Sequence, residues 1–322
     1  MSLIYDMFSA IVQNYIVPEI QDNVYVSNVL FLRLKDAAKI YEVSNDTVQV
    51  PLLNKKDVAA GTYTRFGALD TTPTEPWTAA IFRMGHYYCH IPLAVQDIAK
   101  LRGDRAVVDY VKARKASAEL KLFDLLGTHL YSGDGTDPEA IVGMKNLIST
   151  TSSYGGIAVA DFAEWVAGYI DNTAYDLSTF TLQKFFDAVE NLTIGSDRPT
   201  IAITSRKVYS KIRGLIQTNQ RYNGEGDSVK VGQWKGIEID DVSIFPDQHL
   251  ETGLFNSSKD SIIFLNERYL GFHVQANFNM NSETLPLAQE KDVYNIRVRI
   301  FPQLVCKQRR MQGAITNINP AT

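Results

Sequence analysis

Hydrophobic and polar positions change period several times along the chain, and those changes divide it. Residues 1 to 40 mix short apolar runs, Ile11-Val12 and Val29-Leu30-Phe31-Leu32, with polar breaks. They hold no clean period, which is the pattern of an arm lying against something else rather than of a core. From Thr47 to Ile91 the residues turn to Thr, Tyr, Val and Pro: Val48-Gln49-Val50, Gly61-Thr62-Tyr63-Thr64-Arg65-Phe66, then Trp77 and the run Ile81 to Cys89. Two strand-like runs here flank a loop containing Pro73 and Pro76. The excursion has little apolar material of its own to pack, so it is expected to reach a neighbouring molecule.

Between Leu93 and Tyr131 the chain is rich in Ala, Lys, Glu, Leu and Arg. Val107, Val108, Val111, Leu120, Phe123, Leu126 and Leu130 form a broken apolar stripe, which predicts a helix kinked or split at Gly103. At 1.5 Å per residue it would run roughly 50 to 60 Å, more than one compact domain covers. Gly133-Asp134-Gly135 then stops it. Residues 144 to 266 read as a mixed α/β unit. Leu182, Phe185, Phe186, Val189 and Leu192 mark one amphipathic helix, Val208, Ile212, Leu215 and Ile216 a second, and Thr200 to Thr204 a strand before it. Further strand-like runs come at Ile237 to Val242, Ser261 to Leu265 and Tyr269 to Val274. The clearest alternation follows: Tyr294, Ile296, Val298 and Ile300 on one face, Asn295, Arg297 and Arg299 on the other. The simplest partner for that strand is Met311 to Ile318.

Composition narrows the function classes. Of 322 residues, 45% are hydrophobic and 21% charged, which is ordinary for a globular chain and sets disorder aside. No window approaches the roughly 18 apolar residues that cross a bilayer, and Met1 to Asp6 lacks a basic flank, so use in a cytoplasm is expected. Cys89 and Cys306 are too few for a disulfide framework or a cysteine zinc site, and read as reduced and buried. A net charge of −4 gives no electrostatic reason to bind nucleic acid over the whole surface.

Candidate chemistry is thin. Gly133-Asp134-Gly135-Thr136 lacks the Lys-Ser/Thr continuation of a phosphate loop and reads as a turn. His86, Cys89 and His90 cluster, but a strand sends Cys89 and His90 to opposite faces, and no metal site is expected. Glu238, Asp240 and Asp241 read as solvated edge charge, and Trp165 as packing. His129, His249 and His273 have no recognisable catalytic partners in the sequence. Arg297, Arg299, Lys307, Arg309 and Arg310 form a basic cluster, read as intersubunit or solvent-facing charge. No cofactor is expected.

Arm, excursion, overlong helix, α/β unit and returning strand come in an order that carries a resemblance. Ala60-Gly61-Thr62-Tyr63 enters the excursion, and Leu130-Tyr131-Ser132-Gly133-Asp134-Gly135-Thr136 ends the helix. Ile141-Val142-Gly143-Met144 follows, and Ser153-Tyr154-Gly155-Gly156-Ile157 leads to Trp165. Over almost the whole chain this resembles the major capsid protein of tailed bacteriophages, the Hong Kong ninety-seven type fold. The resemblance implies an α+β fold with an N-terminal arm (1–40) and an extended β-hairpin loop (41–92). It further implies a peripheral domain of spine helix and long strands (93–143 and 267–322) and an α/β axial domain (144–266). It implies a structural, non-enzymatic subunit that self-assembles as pentamers and hexamers into an icosahedral shell around double-stranded DNA, bound without sequence specificity. The expected place is the virion, after assembly in a host cytoplasm without a membrane. A separate scaffolding protein, a portal protein and a decoration protein are the implied partners, since no scaffolding extension fits before the arm.

Intersubunit contacts are expected from Lys55, Lys56, Tyr63, Arg65, Trp77, Arg297 and Arg299. Lys55 and Lys56 are also the candidates for the covalent crosslinking known in some such shells. A chain lacking Leu52 to Ala80 is expected to fold but not to close a shell. An encapsulin-like compartment enclosing protein cargo, an α/β enzyme using residues 144 to 266 and a nucleic-acid-binding module are the competing readings.

Overall fold

The computed structural model describes residues 28–53, 61–68, 77–100, 104–220, 230–231, 234–250, 253–256, 258–285 and 293–320. Most of the expected arm, residues 1–27, lies outside the described residues, and the first described element is a helix. Asn28 caps helix α1 (Val29–Asp36) by accepting from the amides of Leu30 and Phe31, and Val29, Leu30, Phe31, Leu32 and Leu34 are all buried. Five apolar residues in six leave no polar face to show to water, so the helix lies inside the core, with Phe31 edge-on to Phe272. Strand β1 (Ile40–Val43) follows and pairs in parallel with a strand near the C-terminus.

Strands β2 (Thr47–Leu53) and β3 (Trp77–Arg83) form a two-stranded antiparallel ribbon, the predicted excursion. The expectation that it has little apolar material to pack is corrected at its base, where Val50, Leu52, Ala80 and Phe82 are buried in the main core. Removing Leu52 to Ala80 would therefore remove core residues as well as the exposed part.

Strand β4 (Tyr87–Ala94) precedes α2 (Val95–Lys100) and the long helix α3 (Asp104–Ser132). Leu93 and Ala94 are strand rather than helix, because Tyr87, Ile91 and Leu93 alternate with exposed His90 and Pro92 at period two. Gly103, where a kink or split was expected, lies outside the described residues; α3, at 29 residues, spans about 44 Å.

After the short helix α4 (Met144–Leu147), residues 148 to 168 run without a regular element apart from the bridge Tyr154–Ile157. The α/β unit comes next: β5 (Tyr169–Asp171), β6 (Tyr175–Asp176), α5 (Leu182–Leu192), β7 (Ile201–Thr204), α6 (Arg206–Gln220), β8 (Lys230–Val231), β9 (Trp234–Lys235), β10 (Ile237–Ile239), β11 (Val242–Pro246) and β12 (Asp260–Leu265). The helices at 182 and 206 and the strands at 201 and 261 lie where the periodicity placed them. The chain closes with β13 (Leu270–Gln275), β14 (Asn281–Leu285), β15 (Val293–Ile300), β16 (Pro302–Cys306) and β17 (Gly313–Asn319).

Strand pairing corrects one expectation. β15 does not pair with residues 311 to 318; it lies between β14 and β4, with Ile296 opposite Ile91 and Ile300 opposite Tyr87. β17 instead enters the seven-stranded sheet β10-β11-β7-β12-β17-β5, with β6 also on β17. The reason is burial. β15 buries one face only, whereas Gly313 to Thr316 are buried on both, and such a strand belongs in the middle of a covered sheet. The C-terminal strand therefore belongs with the 144 to 266 unit rather than with the peripheral strands.

That sheet separates two cores. On one side α5 and α6 cover Ala202, Ile244, Ile262, Phe264 and Ile315. On the other, Ile201, Ile203, Phe245, Ile263 and Leu265 join the larger core shared by α1, β4, the second half of α3, β13, β15 and β16.

Two buried polar groups hold these parts in register. Arg33 and Glu267 form a two-bonded fork at 2.9 and 2.8 Å, with Thr200 donating to the same carboxylate, so α1 is tied to the turn after β12. Arg309 is 1% exposed and meets no carboxylate. Each of its five N–H groups instead finds a carbonyl: Leu147 at 3.0 Å, Asn146 at 2.9, Ser149 at 2.9, Trp165 at 2.6 and Ser152 at 3.4. Its guanidinium lies 5.0 Å from the Tyr154 ring centroid. This corrects the reading of Arg309 as surface charge.

Arg309→Ala would take the side-chain donor from all five carbonyls and leave only that of Ser149 with another partner among the described residues, the Ala167 amide; a loss of about 3–5 kcal/mol is expected by analogy with broken buried ionic sites. Arg309→Lys, with three donors in place of five, should recover only part of it. Urea unfolding of the three proteins decides this, and equal midpoints would remove Arg309 from its structural role.

His273, stacked on Tyr41 at 5.0 Å, has both ring nitrogens buried without a hydrogen bond, and burial together with nearby Lys307 lowers its pKa from 6.5 to about 4. Below pH 6.5 the unfolded chain takes up a proton that the folded chain refuses until about 4, so stability falls with pH through that window. His273→Phe should lose less stability between pH 7 and 4.5 than the parent, as read by unfolding midpoints.

Candidate assembly interface

The ribbon has two unlike faces. Its inner face rests on the loop at 154 to 156: Phe82 lies 4.8 Å from the Tyr154 ring, and the Ile81 amide donates to the Gly155 carbonyl at 2.8 Å. Gly155 has φ +62, and a Cβ there would come within 2.7 Å of Ala80 and 2.8 Å of Phe82, so glycine is required for the approach. Because Ile81 turns its amide away from β2, the pairs Gln49–Ile81 and Pro51–Ala79 are non-hydrogen-bonded ones. Pro51, lacking an N–H, therefore costs the ladder nothing.

The outer face carries Leu53 and Trp77 directly opposite each other, with Pro51, Ala79 and Ile81 behind them. Trp77 is 69% exposed, Ile81 49% and Leu53 47%. Full burial of such a side chain is worth about 1.5–3 kcal/mol, so at these exposures each forgoes roughly half of that. A contiguous apolar strip on a ribbon is the mark of a contact surface rather than of scattered surface residues. Beyond it, residues 61–68 are all exposed, Tyr63, Arg65 and Phe66 among them. Sequence reasoning named Trp77, Tyr63 and Arg65; it missed Phe66, and also Leu53 and Ile81, which the alternation along the two strands could have assigned to an outer face.

The remaining expected contacts fall elsewhere. Lys55 and Lys56 lie outside the described residues. Arg297 and Arg299 are half-buried on β15, opposite His90 and Tyr88 on the face of the β14-β15-β4 sheet where Tyr88 is exposed. Arg299 takes its carboxylate from its own subunit, bonding Glu283 at 2.6 Å and lying over Phe278. No carboxylate among the described residues lies within ion-pair reach of Arg297.

The chemical candidates resolve into structure. Gly133 to Thr136 is a turn, with Asp134 accepting from the Thr136 amide and hydroxyl. His86 bonds Glu139 and lies 3.6 Å from Asp46, Cys89 faces the Ala118 carbonyl, and His90 is exposed, so the three do not converge. Among the described residues no three His, Cys, Asp or Glu side chains gather as a metal site. Asp240 and Asp241, at φ 52 and 62, form the tight turn joining β10 to β11, closed by Arg198. Trp165 is buried, its indole N–H donating to the Tyr154 carbonyl.

The Tyr87 hydroxyl bonds His129 Nδ1 at 2.9 Å, and its oxygen accepts from the Ile141 amide. Asp247, buried, accepts from the Tyr131 hydroxyl and the His249 amide, tying α3 to the end of β11. Cys306 is free and buried, its thiol pushed up to about 12 by burial, and Cys89 is free and half-buried, also shifted up by burial. No helix among the described residues is long and apolar enough to cross a membrane.

No family model and no curated protein sequence matches the chain. Solved structures do. The cyanophage A-1(L) capsid subunit aligns over 87% of this chain and 90% of its own at a TM-score of 0.62 and 14% identity. The SrpI encapsulin of Synechococcus elongatus PCC 7942 aligns over 90% and 89% at 0.60 and 9% identity. The capsid subunit of a native GTA particle aligns over 88% and 89% at 0.59 and 14% identity. The fold is thus that of proteins that build closed shells. More particularly, it is the Hong Kong ninety-seven type major-capsid fold, which phage capsids and encapsulins share.

If the ribbon's outer face is a contact surface, Trp77→Ser combined with Leu53→Ser should leave the subunit's unfolding midpoint within about 0.5 kcal/mol of the parent, as exposed substitutions do. The same protein should sediment as small species under conditions where the parent forms large ones. Unchanged sedimentation would rule the face out.

Proposed function

We propose that the chain is the major capsid subunit of a tailed phage, assembling as pentamers and hexamers into an icosahedral shell around double-stranded DNA. The observation that supports this most is the ribbon: one face is fixed in its own subunit's core and the other presents Trp77, Leu53 and Ile81 to solvent. An element oriented by its own subunit but covered by another suits a protein completed by its neighbours. Many such modest contacts add through multivalency. A net charge of −4 fits a container that holds DNA without gripping it. On this reading the partners are further copies of the chain, a separate scaffolding protein, a portal protein and a decoration protein, and the subunit performs no catalysis. Lys55 and Lys56 would serve as intersubunit contacts, and Arg297 would pair with an acid across a subunit boundary.

An encapsulin-like compartment is the second reading, and the alignment with the SrpI encapsulin favours it as directly as the capsid alignments favour the first. Electron microscopy of particles purified from a native source, followed by nuclease digestion, separates them. Closed shells holding nuclease-protected DNA are expected; shells filled with protein and free of DNA would decide for the compartment. A chain that remains monomeric with and without its scaffold would overturn both.

A further inference from the structure

The tip of the ribbon and the cleft at its base are complementary. Gly67 donates its amide to the Thr64 carbonyl at 2.8 Å, closing a turn with Arg65 and Phe66 at its central positions. Phe66 is 93% exposed, and the Arg65 guanidinium lies over that ring at 5.6 Å. No carboxylate among the described residues pairs with Arg65. The tip thus presents an aromatic ring and a cation that the subunit itself leaves uncovered.

At the other end, a cleft of about 380 Å³ opens between Phe82, the loop residues Asp137, Pro138 and Val142, and Gly155. Asn146 contributes to its lining and is 8% exposed, yet its side-chain oxygen is buried without a hydrogen-bond partner. A buried acceptor left unpaired is rare and calls for a donor. Asp137 bonds the Glu139 amide through one oxygen and, though exposed, pairs with no cation among the described residues. Asp134 and Glu139 flank it on the same loop, and Arg83 is the one cation in the lining.

An apolar cleft with an unpaired acid and an unpaired amide oxygen fits a ring next to a guanidinium. We propose that Arg65 and Phe66 of one copy dock into this cleft of a second copy, the guanidinium meeting Asp137 and the ring entering between Phe82, Pro138 and Val142. The occupant is another copy rather than the subunit's own tip, because within its own subunit Phe66 is 93% exposed. Complementary patches at opposite ends of one element make a head-to-tail contact, which closes into a ring when the rotation allows. This rests on the shell reading above and names the surface that receives the ribbon.

Full-length chains carrying Arg65→Asp, Asp137→Arg, or both test it, with particle yield read by gradient sedimentation and microscopy. Each single reversal should lower the yield roughly tenfold or more, and the pair should restore most of it, as expected of a charge pair across an interface. Singles that assemble like the parent, or a double no better than the singles, would overturn the docking. If Trp77→Ser still abolishes assembly in that case, the shell reading stands and only the docking fails. Phe66→Cys with Val142→Cys supplies a second measurement free of folding effects. Oxidised particles should run as a ladder of linked subunits on denaturing gels, and a single monomer band would also overturn the docking.

Discussion

The guanidinium of Arg309 sits where carbonyls of the short helix α4 and of the roughly twenty irregular residues after it converge and need donors. Segments of that length usually run over a surface, where water satisfies the backbone. Here Asn146, Leu147, Ser149, Ser152 and Trp165 turn their carbonyls inward onto one planar cation, and Tyr154 covers its face. No other side chain offers five donors in one plane, so lysine cannot substitute for it geometrically. The Trp165 indole closes the same loop by bonding the Tyr154 carbonyl, and the Cys306 amide bonds the Tyr154 hydroxyl. Tyr154 is thereby held on both sides.

What depends on this knot is the direction of the ribbon. Phe82 packs on Tyr154, and Ile81 bonds Gly155, so the platform that orients β2 and β3 is the same loop that Arg309 organises. The base is held elsewhere too: Met84 bonds the Asp46 carbonyl, Gly85 that of Pro302, and His86 that of Glu139. These anchors belong to the β1–β2 turn, the C-terminal strands and the loop after α3. The adjoining turn and two segments distant in sequence thus fix the ribbon's base together, which links the core to the surface that a neighbour would meet on the proposed reading.

Elements with a strong period and one buried face were legible from residues alone. The helices at 182 and 206 show it, as does β15 with its alternating Tyr294, Ile296, Val298 and Ile300. Order along the chain carried the fold resemblance. Pairing was harder: β15 and β17 are both apolar, and only burial on one face or two distinguishes their sheets. Helix α1 was hidden because five apolar residues in six have no period to detect. Arg309 was misread because a lone arginine among basic neighbours looks like surface, and nothing local announces five carbonyls contributed from 146 to 165. On the ribbon, Trp77 and the tip stood out by chemistry, whereas the division into an inner and an outer face needed the β2–β3 register. The cleft was not legible at all, since Phe82, Asp137, Asn146 and Gly155 converge only through tertiary contacts.

If the chain builds a shell as proposed, the ribbon's two faces bear on how a subunit would stay usable before assembly. A ribbon apolar on both faces and free on both would collapse on its own core or aggregate, as exposed flat strands do. Here the inner face is occupied by the subunit itself, and Pro51 removes a donor from the outer edge of β2. The outer face is narrow, with Leu53, Trp77 and Ile81 as its large side chains, so one such contact contributes only a few kcal/mol. That is too little to hold two subunits against the entropy of association. It becomes sufficient only when each subunit makes several contacts at once, as closure of a shell would provide. A weak, fixed and oriented surface therefore favours closed assemblies over random ones, because misdocked pairs dissolve before they can be joined.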